Sequence, residues 1–581
     1  MRFIGIRTAA FFGMTFFGSQ LLAQEIYELQ GYDHRSPFQE QDVLTEGVVT
    51  AVVEKGFFVQ GPSDDVMISS DGLFVFTSTQ PNVVVGNRVR VEGRLVEFAR
   101  PTQLPLTQIE DAKVDILESD AQLPVPIEIG INALYPPTEI IDDDGFAQFD
   151  PDSDGIDFYE TLEGMRVTIK DAIALTPSSR FDEVWVLASL GEGSTNFVDQ
   201  KAITLTETDN NPERLIIDFE ITGAPLNVEA GMVIGDVTGV LSYDFGNYRV
   251  FATEVSAPTS TLDNMLQAEA VIPSASSALT VAVYNVENLD PKVEDLDNPR
   301  NVDDDIGSGK FDAIAEQLVN DLGAPALIAL QEVQDNDGAE NTATTSAALT
   351  LSTLVSAIES AGGPTYSFVD YPPTDDADGG QPGGNIRNAF LYDPQRAALI
   401  ANSDRRIEDP DAPTGGVFQE SRKPVLASFE TSAGTLTVVN VHLSSRRGSD
   451  PVFGQNQPPA IADAAIRRRQ ARVIGDVLSS LSSTDPAVQI MVMGDFNAHY
   501  FERELELFEN EFAMFNMWRT LPIEARRSYV FEGQAQAYDH ILVSTNLRAK
   551  ATFSPLNINA GREIQASDHD PLLALISGSS Q

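Results

Sequence analysis

Short apolar runs of period two fill the first half of the chain. From Ile26 to Ile116 they read EGVVTAVVEKGFFVQ, DGLFVFTS and GNRVRVEGRLVEF, broken by Gly, Asp and Asn. Alternation of this kind predicts half-buried strands, and about five of them predict a small all-β module over residues 24–120. A second β-rich region, 121–263, carries EGMRVTIKDAIAL, EVWVLASL, RLIIDFE, VIGDVTGVLSY and YRVFATE. Small and polar residues over 264–278 predict a linker. From Leu279 the pattern changes. Strand-length runs (LTVAVYNVEN, ALIALQEV, TLTVVNVHL, VQIMVMGDFN, DHILVS) alternate with helical periods (KFDAIAEQLVNDL, IADAAIRRRQARVIGDVL), which predicts a layered α/β domain over 279–581.

Length and composition agree with several domains, since 581 residues with 42% apolar content can bury more than one core. The N-terminus adds a location. Arg2 and Arg7 precede an apolar run from Ala9 to Phe17 and then small residues to Ala23, the layout of a signal peptide over 1–23 that is cleaved near Ala23. The protein is therefore expected to be exported, with no membrane anchor. It has no cysteine, so any metal must be held by oxygen and imidazole groups.

Chemistry collects at the ends of the C-terminal strands. The run Val488–Asn497 stops abruptly at Gly-Asp-Phe-Asn, and on an extended strand Asp495 and Asn497 would project to one side. Asn285 and Glu287 end another strand, Glu332 a third, and His442 a fourth, while Asp539 and His540 open DHILVS and Asp568 and His569 lie in SDHDPLL. Each alone reads as a turn or strand-end residue. Together, in this order, Asn-x-Glu, Gln-Glu-Val, Val-His-Leu, Gly-Asp-Phe-Asn and Ser-Asp-His resemble the endonuclease/exonuclease/phosphatase (DNase I-like) superfamily over about Ala278–Ser577. With β modules in front, the layout is similar to secreted bacterial nucleases of the ExeM type, and the first module resembles an OB-fold.

That resemblance implies a four-layer sandwich with a divalent metal, Mg2+ or Mn2+, in a cleft at the strand ends. It makes Glu332 the principal ligand, assisted by Asn285, Glu287 and Asp568. His569 is then the base oriented by Asp539, and Asp495 and Asn497 position water and a phosphoryl oxygen. His442 resembles the DNase I and sphingomyelinase branches, where it can protonate the leaving group. His34, His499 and His540 read as structural or incidental.

Charge decides between substrates. The formal net charge of −50 opposes a polyanion, yet residues 387–472 carry 12 basic against 9 acidic side chains. Arg446 and Arg447 follow His442 closely, and Arg468 and Arg472 share a helix face, so these four are expected to hold phosphates, with Arg467 and Arg469 on a solvated face. In the OB-like module Phe57, Phe58, Phe74, Phe76, Arg88, Arg90 and Arg94 are the candidates for holding polymer. Asp150, Asp152, Asp154 and Asp157 in DPDSDGID are a candidate Ca2+ loop, although Thr161 stands where a glutamate is expected. The expected function is metal-dependent hydrolysis of DNA or RNA with little sequence specificity. Two alternatives stay open: a phosphodiesterase of the same fold acting on phospholipid headgroups or nucleotides, and a non-catalytic nucleic-acid-binding protein.

Overall fold

The computed structural model describes residues 22–577 apart from 64–65, 67, 199–201, 224–227, 257–277, 295–301, 411–415 and 561–564. The expected export segment up to residue 21, and the expected linker apart from Ala278, lie outside the described residues.

Five strands, β1 (Asp42–Val53), β2 (Gly56–Gln60), β3 (Gly72–Phe76), β4 (Arg88–Phe98) and β5 (Leu106–Glu118), close into a barrel in the order β1-β2-β3-β5-β4. The β3–β5 pair is parallel, and the other pairs are antiparallel. Alternation in the sequence puts Val43, Val49, Phe57, Val59, Leu73, Val75, Val89 and Val91 inside, and the helix Ile26–Gln30 plugs the barrel with Ile26 and Leu29.

The second β region repeats this plan. Its strands Arg166–Ala174, Glu183–Leu187, Leu215–Asp218, Asn247–Val255 and Val233–Asp244 pair in that order, and the last pairs back to the first. The third and fifth strands in chain order, Leu215–Asp218 and Asn247–Val255, are again the parallel pair. Both fourth strands carry Val-x-Gly-x-Leu (Val91 to Leu95, Val237 to Leu241), and the register shifts beside Gly93 and Gly239. A Cβ on either glycine would collide with the fifth strand, at Glu110 O or Phe251 O. The shared glycine is thus what lets two twisted strands close the ring.

The barrels touch through bare backbone. A side chain on Gly72 would run into Gly164, so neither position tolerates one, and Gln30 Nε2 donates both to Gly72 O at 2.7 Å and across to Glu163 Oε1 at 3.3 Å.

The C-terminal domain has two sheets. One has the order Ser367–Asp370, Arg387–Tyr392, Leu327–Val333, Leu279–Leu289, Leu572–Ile576, Ala551–Pro555. The other has the order Ala397–Leu399, Val425–Thr431, Gly434–His442, Gln489–Asp495, Asp539–Ser544, Met514–Asn516. Val281, Val283, Ala329 and Phe390 of the first pack against Phe429, Val438, Met491 and Ile541 of the second. Helices Lys310–Glu316 and Ala348–Ser360 cover one outer face, and Ala464–Thr484 and Arg503–Asn510 cover the other, giving four layers. Among the described residues no helix is long and apolar enough to cross a membrane.

The second barrel is joined to this domain at two places. Between its second and third strands the segment Ala202–Thr204 pairs in parallel with Gln534–Gln536, extending the C-terminal hairpin Tyr529–Phe531/Gln534–Gln536. There the buried Arg214 donates to Glu532 O at 2.6 Å. In the other direction Phe453, from the loop after His442, is buried in the core of the barrel, and its carbonyl accepts from Tyr243 Oη at 2.6 Å.

Candidate active site

Parallel pairing sets the site. Leu279–Leu289 runs parallel to Leu327–Val333, and Gly434–His442 parallel to Gln489–Asp495, so Asn285, Glu332, His442 and Asp495 arrive at one edge of the sandwich. Asp539 opens the antiparallel neighbour and lies opposite Asp495. Deep between the sheets Gln331 Nε2 donates to Asn440 Oδ1 at 2.7 Å, and Asn440 donates to Leu330 O and Ala389 O, which pins one sheet to the other beneath the site.

Inside the cleft Asn285 organises the acids. Its Oδ1 accepts the Glu287 amide at 3.0 Å, so its Nδ2 is left to face Glu332 Oε1 at 3.1 Å and Asp495 Oδ2 at 3.4 Å. His442 Nε2 stands 3.4 Å from Asp495 Oδ2 and 3.8 Å from Glu332 Oε1. Glu332, His442 and Asp495 thus bring one ligand atom each within 4.8 Å of the others, a spacing that fits a metal ion. Opposite them His569 Nδ1 bonds Asp539 Oδ2 at 2.6 Å. His442, Asp495, Asp539 and His569 are buried, while Glu287, Glu332, Asn497 and Asp568 form a half-exposed mouth.

Asp495 and Asn497 do meet, but not by strand alternation. The strand ends at Asp495, and Asn497 takes a left-handed φ of 48° that lets its own amide donate to Asp495 Oδ1 at 2.8 Å. Glu287 (φ 50°) and Glu332 (φ 59°) are also left-handed. Each such non-glycine residue costs about 1–2 kcal/mol, and three in one cleft are held by the bonds around them.

Electrostatics divides the histidines. Burial, with Arg422 and His569 nearby, drives the His442 pKa well below the usual histidine value, so His442 is neutral. Burial also works against charge on His569, but Asp539 and Asp568 outweigh it and raise its pKa well above that value. The acids crowd one another. Burial and then the opposing pull of His569 set Asp495 at about 7, and burial with Asp568 lifts Glu287 to about 7. Burial and Asp568 also raise Glu332. Three carboxylates with raised pKa values, Asp495, Glu287 and Glu332, surround one opening, and this donor set of oxygens with one imidazole suits magnesium or manganese.

The residues expected as metal ligands reach the cleft in different ways. Asn285 turns its amide rather than its oxygen toward Glu332, so it places that carboxylate instead of joining it. Glu287 accepts the Asp568 amide at 3.2 Å, and neither belongs to the group at ligand spacing, which includes His442 and Asp495 instead.

Two of the four expected phosphate contacts are engaged elsewhere. Arg446 pairs with Glu502 at 2.7 Å and lies over the Tyr538 ring, and Arg472 pairs with Glu511 at 2.9 Å. Arg467, expected on a solvated face, is fully buried and donates to Ser444 O, Ser445 O and Ala462 O, because its position faces the sheet. Arg447 and Arg469 are exposed and Arg468 is half-exposed. In the first barrel Phe57 and Phe58 are core, Phe74 and Phe76 are half-buried, and Arg88, Arg90 and Arg94 pair with Glu46 and Glu40. Phe508 and Trp518 are also core, so the region they occupy offers no exposed aromatic hairpin. Asp152 points to solvent, whereas Asp150, Asp154 and Asp157 converge.

Sequence reading overlooked the residues that hold the dyad. Tyr529 lies with its ring 4.8 Å from that of His569, Trp518 Nε1 donates to Asp539 O at 2.8 Å, and Ser528 Oγ receives the Asp539 amide at 3.0 Å. Ser567 Oγ bonds Asn285 O at 2.7 Å and receives the His569 amide at 3.1 Å, and its position within Ser-Asp-His was the one available signal. Buried Arg422 donates to Leu443 O at 2.7 Å beside Glu332 and Asp495.

Comparison with known proteins agrees with this architecture. Residues 282–569 match the Endonuclease/Exonuclease/phosphatase family, and the C-terminal half of the chain holds a domain like that of this superfamily. Residues 128–261 match a domain of unknown function (DUF8508). No curated protein matches the chain. Among solved structures, truncated Caenorhabditis elegans TDP2 is 15% identical, with 52% of this chain and 99% of that chain covered and a TM-score of 0.34. The Bacteroides vulgatus endonuclease/exonuclease/phosphatase is 16% identical, with 52% and 99% covered and a TM-score of 0.34. The human Nocturnin catalytic domain, solved with a bound sulfate anion, is 16% identical, with 52% and 94% covered and a TM-score of 0.33.

Proposed function

We propose that the C-terminal domain is a divalent-cation-dependent phosphodiesterase that cleaves DNA, and RNA with it, in an exported protein of the ExeM type. One observation carries this reading: strand ends from both sheets bring Asn285, Glu332, His442 and Asp495 into contact beside an Asp539–His569 pair. Glu332 and Asp495 would hold magnesium or manganese at the mouth formed by Glu287 and Asp568, with His442 Nε2 facing the same opening. Such an ion supplies positive charge for the phosphorane and acidifies water.

The protein's own groups do the rest. Asp539 orients His569 and stabilises its imidazolium, as a carboxylate does for an imidazole that transfers protons. His569 is accordingly the proton-transfer group. His442, kept neutral by burial, suits donation of a hydrogen bond to a phosphoryl oxygen better than delivery of a proton. Asn497 and the Asp495 carboxylate fix the attacking water. Arg447 and Arg468, which make no ion pair among the described residues, track the phosphate backbone.

The barrels hold polymer. Their shared strand order supports reading them as OB-like barrels, and a cavity of about 350 Å³ between them is lined by Phe58, Phe74, Phe76, Phe98, Arg100 and Phe251. Phe58 lies at its floor, Phe74, Phe76, Phe98 and Phe251 keep part of their rings exposed, and Arg100 is paired with Asp244, so the rings rather than the guanidinium would stack bases, tolerant of sequence.

The test is cleavage of plasmid and linear DNA with magnesium, manganese or excess chelator, run beside RNA and sphingomyelin. Cation-dependent cutting of nucleic acid is expected, and Glu332→Gln should lower it at least about a hundredfold. Wild-type turnover in excess chelator would sink the reading, and sphingomyelin turned over faster than DNA would replace it with the phospholipid alternative.

A further inference from the structure

A second acidic centre lies far along the chain from the strand-end site. Between the two barrels the segment DDDGFAQFDPDSDGID (Asp142 to Asp157) folds back on itself ahead of the short helix Gly155–Glu160. Asp150, Asp154 and Asp157 each bring a carboxylate oxygen within 4.8 Å of the other two. Asp142, Asp144 and Asp154 form a second such group, so Asp154 is common to both.

What marks the place is burial without donors. Asp154 and Asp157 are 0% exposed. One oxygen of each accepts a backbone amide, from Asp143 at 3.3 Å and from Asp150 at 2.6 Å. The other oxygen of each, and Asp150 Oδ1, is buried with no hydrogen-bond donor. Among the described residues no lysine or arginine pairs with any of the five aspartates. His34, reaching over from ahead of the first barrel, brings Nε2 to 3.2 Å from Asp157 Oδ1 without a hydrogen bond that satisfies either atom. Its ring packs edge-on against Phe146 and Phe149 at 4.9 and 5.2 Å, which closes that side. A buried, unpaired carboxylate costs several kcal/mol, and three aimed at one point are tolerated only with a positive partner.

We propose that Asp150, Asp154 and Asp157, with Asp142 and Asp144 completing the oxygen set, hold a calcium ion. Carboxylates in excess of imidazole select a hard ion, and an irregular loop with many oxygens suits the flexible six- to eight-fold coordination of calcium rather than the strict octahedron of magnesium. The ion would staple the two barrels. The helix that follows the loop sends Ile156, Phe158 and Tyr159 into the core of the second barrel, where Tyr159 Oη donates to Pro212 O at 2.9 Å, while His34 belongs to the segment leading into the first.

Calorimetric titration of calcium into chelator-treated protein carrying Glu332→Gln, which disables the strand-end site, tests this together with melting curves. One calcium per chain is expected, with a Kd below about 1 mM. Saturating calcium should raise the first unfolding transition by about 5 °C, and magnesium at equal concentration by less than half of that. Adding Asp154→Asn and Asp157→Asn should abolish binding and the shift, and should raise the melting temperature in chelator, because the repulsion is gone. Asp152→Asn, outside the converging group, should leave binding unchanged. No calcium binding in the Glu332→Gln protein overturns the proposal, and so does undiminished binding after Asp154 and Asp157 are neutralised. If the neutralised protein does not fold, binding and the calcium shift of its Glu332→Gln parent decide alone.

Discussion

The two barrels share a strand order and a glycine-marked bulge, yet they stand in different relations to the chemistry. The first meets the C-terminal domain at its Thr102–Gln103 turn, where Gln455 N bonds Thr102 O at 3.1 Å. The second lends the strand Ala202–Thr204 to the hairpin that presents Tyr529 to His569, and it takes Phe453 into its own core. The same topology therefore serves once as an appended module and once as a wall of the active-site domain. The difference lies in the insertion between second and third strands and in the interior that admits Phe453, not in the strand order.

The largest expected effect follows from truncation. A chain shortened to residues 278–581 leaves Gln534–Gln536 as an unpaired edge and Phe453 in water, so turnover of a small chromogenic phosphodiester should fall at least about a hundredfold as His569 loses its support. A chain starting at residue 121 should keep that turnover within about threefold and lose efficiency chiefly on long DNA. Equal behaviour of the two truncations would erase the contrast between barrels.

Next in size, Phe453→Ala and Phe57→Ala each empty a barrel core and should each cost about 3–5 kcal/mol in local stability, read by hydrogen exchange. Only Phe453→Ala should also lower kcat, because its loop leads directly from His442. A matching loss of kcat in Phe57→Ala would show that the first barrel is coupled to the site as well.

A smaller effect concerns pH. Burial lifts the carboxyl of Glu213, beside the insertion, to about 8. Between the ordinary carboxylate value and about 8, the folded protein holds a proton that the unfolded chain has released, so stability falls as pH rises from about 5 to about 8. Glu213→Gln should make that decline in melting temperature shallower, and an unchanged slope would assign it to other groups.

The smallest effect is at the rim. Arg447→Gln should weaken long-DNA cleavage about two- to threefold and reduce its salt dependence by about one phosphate contact, with no change on the small substrate. A loss on both substrates would place Arg447 in the chemistry.

The strand ends were legible because each is an apolar run cut off by one polar residue, as in the approaches to Glu332 and Asp495. Their bonding was not, since the left-handed turns at Glu287, Glu332 and Asn497 have no signature in composition. The cationic rim was overread, because a count of arginines along the chain cannot see Glu502 and Glu511 folding back to neutralise Arg446 and Arg472. The kinship of the barrels rests on Val-x-Gly-x-Leu, too short to stand out before the pairing is known. The three-residue strand Ala202–Thr204 gains its meaning from a partner more than three hundred positions away.

The lodging of Phe453 has a consequence for the order of assembly. Tyr243 and the carbonyl it grips are 210 positions apart, so the second barrel emerges from synthesis long before the residue that fills its interior. It must wait, incompletely packed, for most of the downstream domain to appear. Folding of the chain is thereby made cooperative across what looks like a domain boundary, and the interval of waiting is when its unfinished interior is open to aggregation.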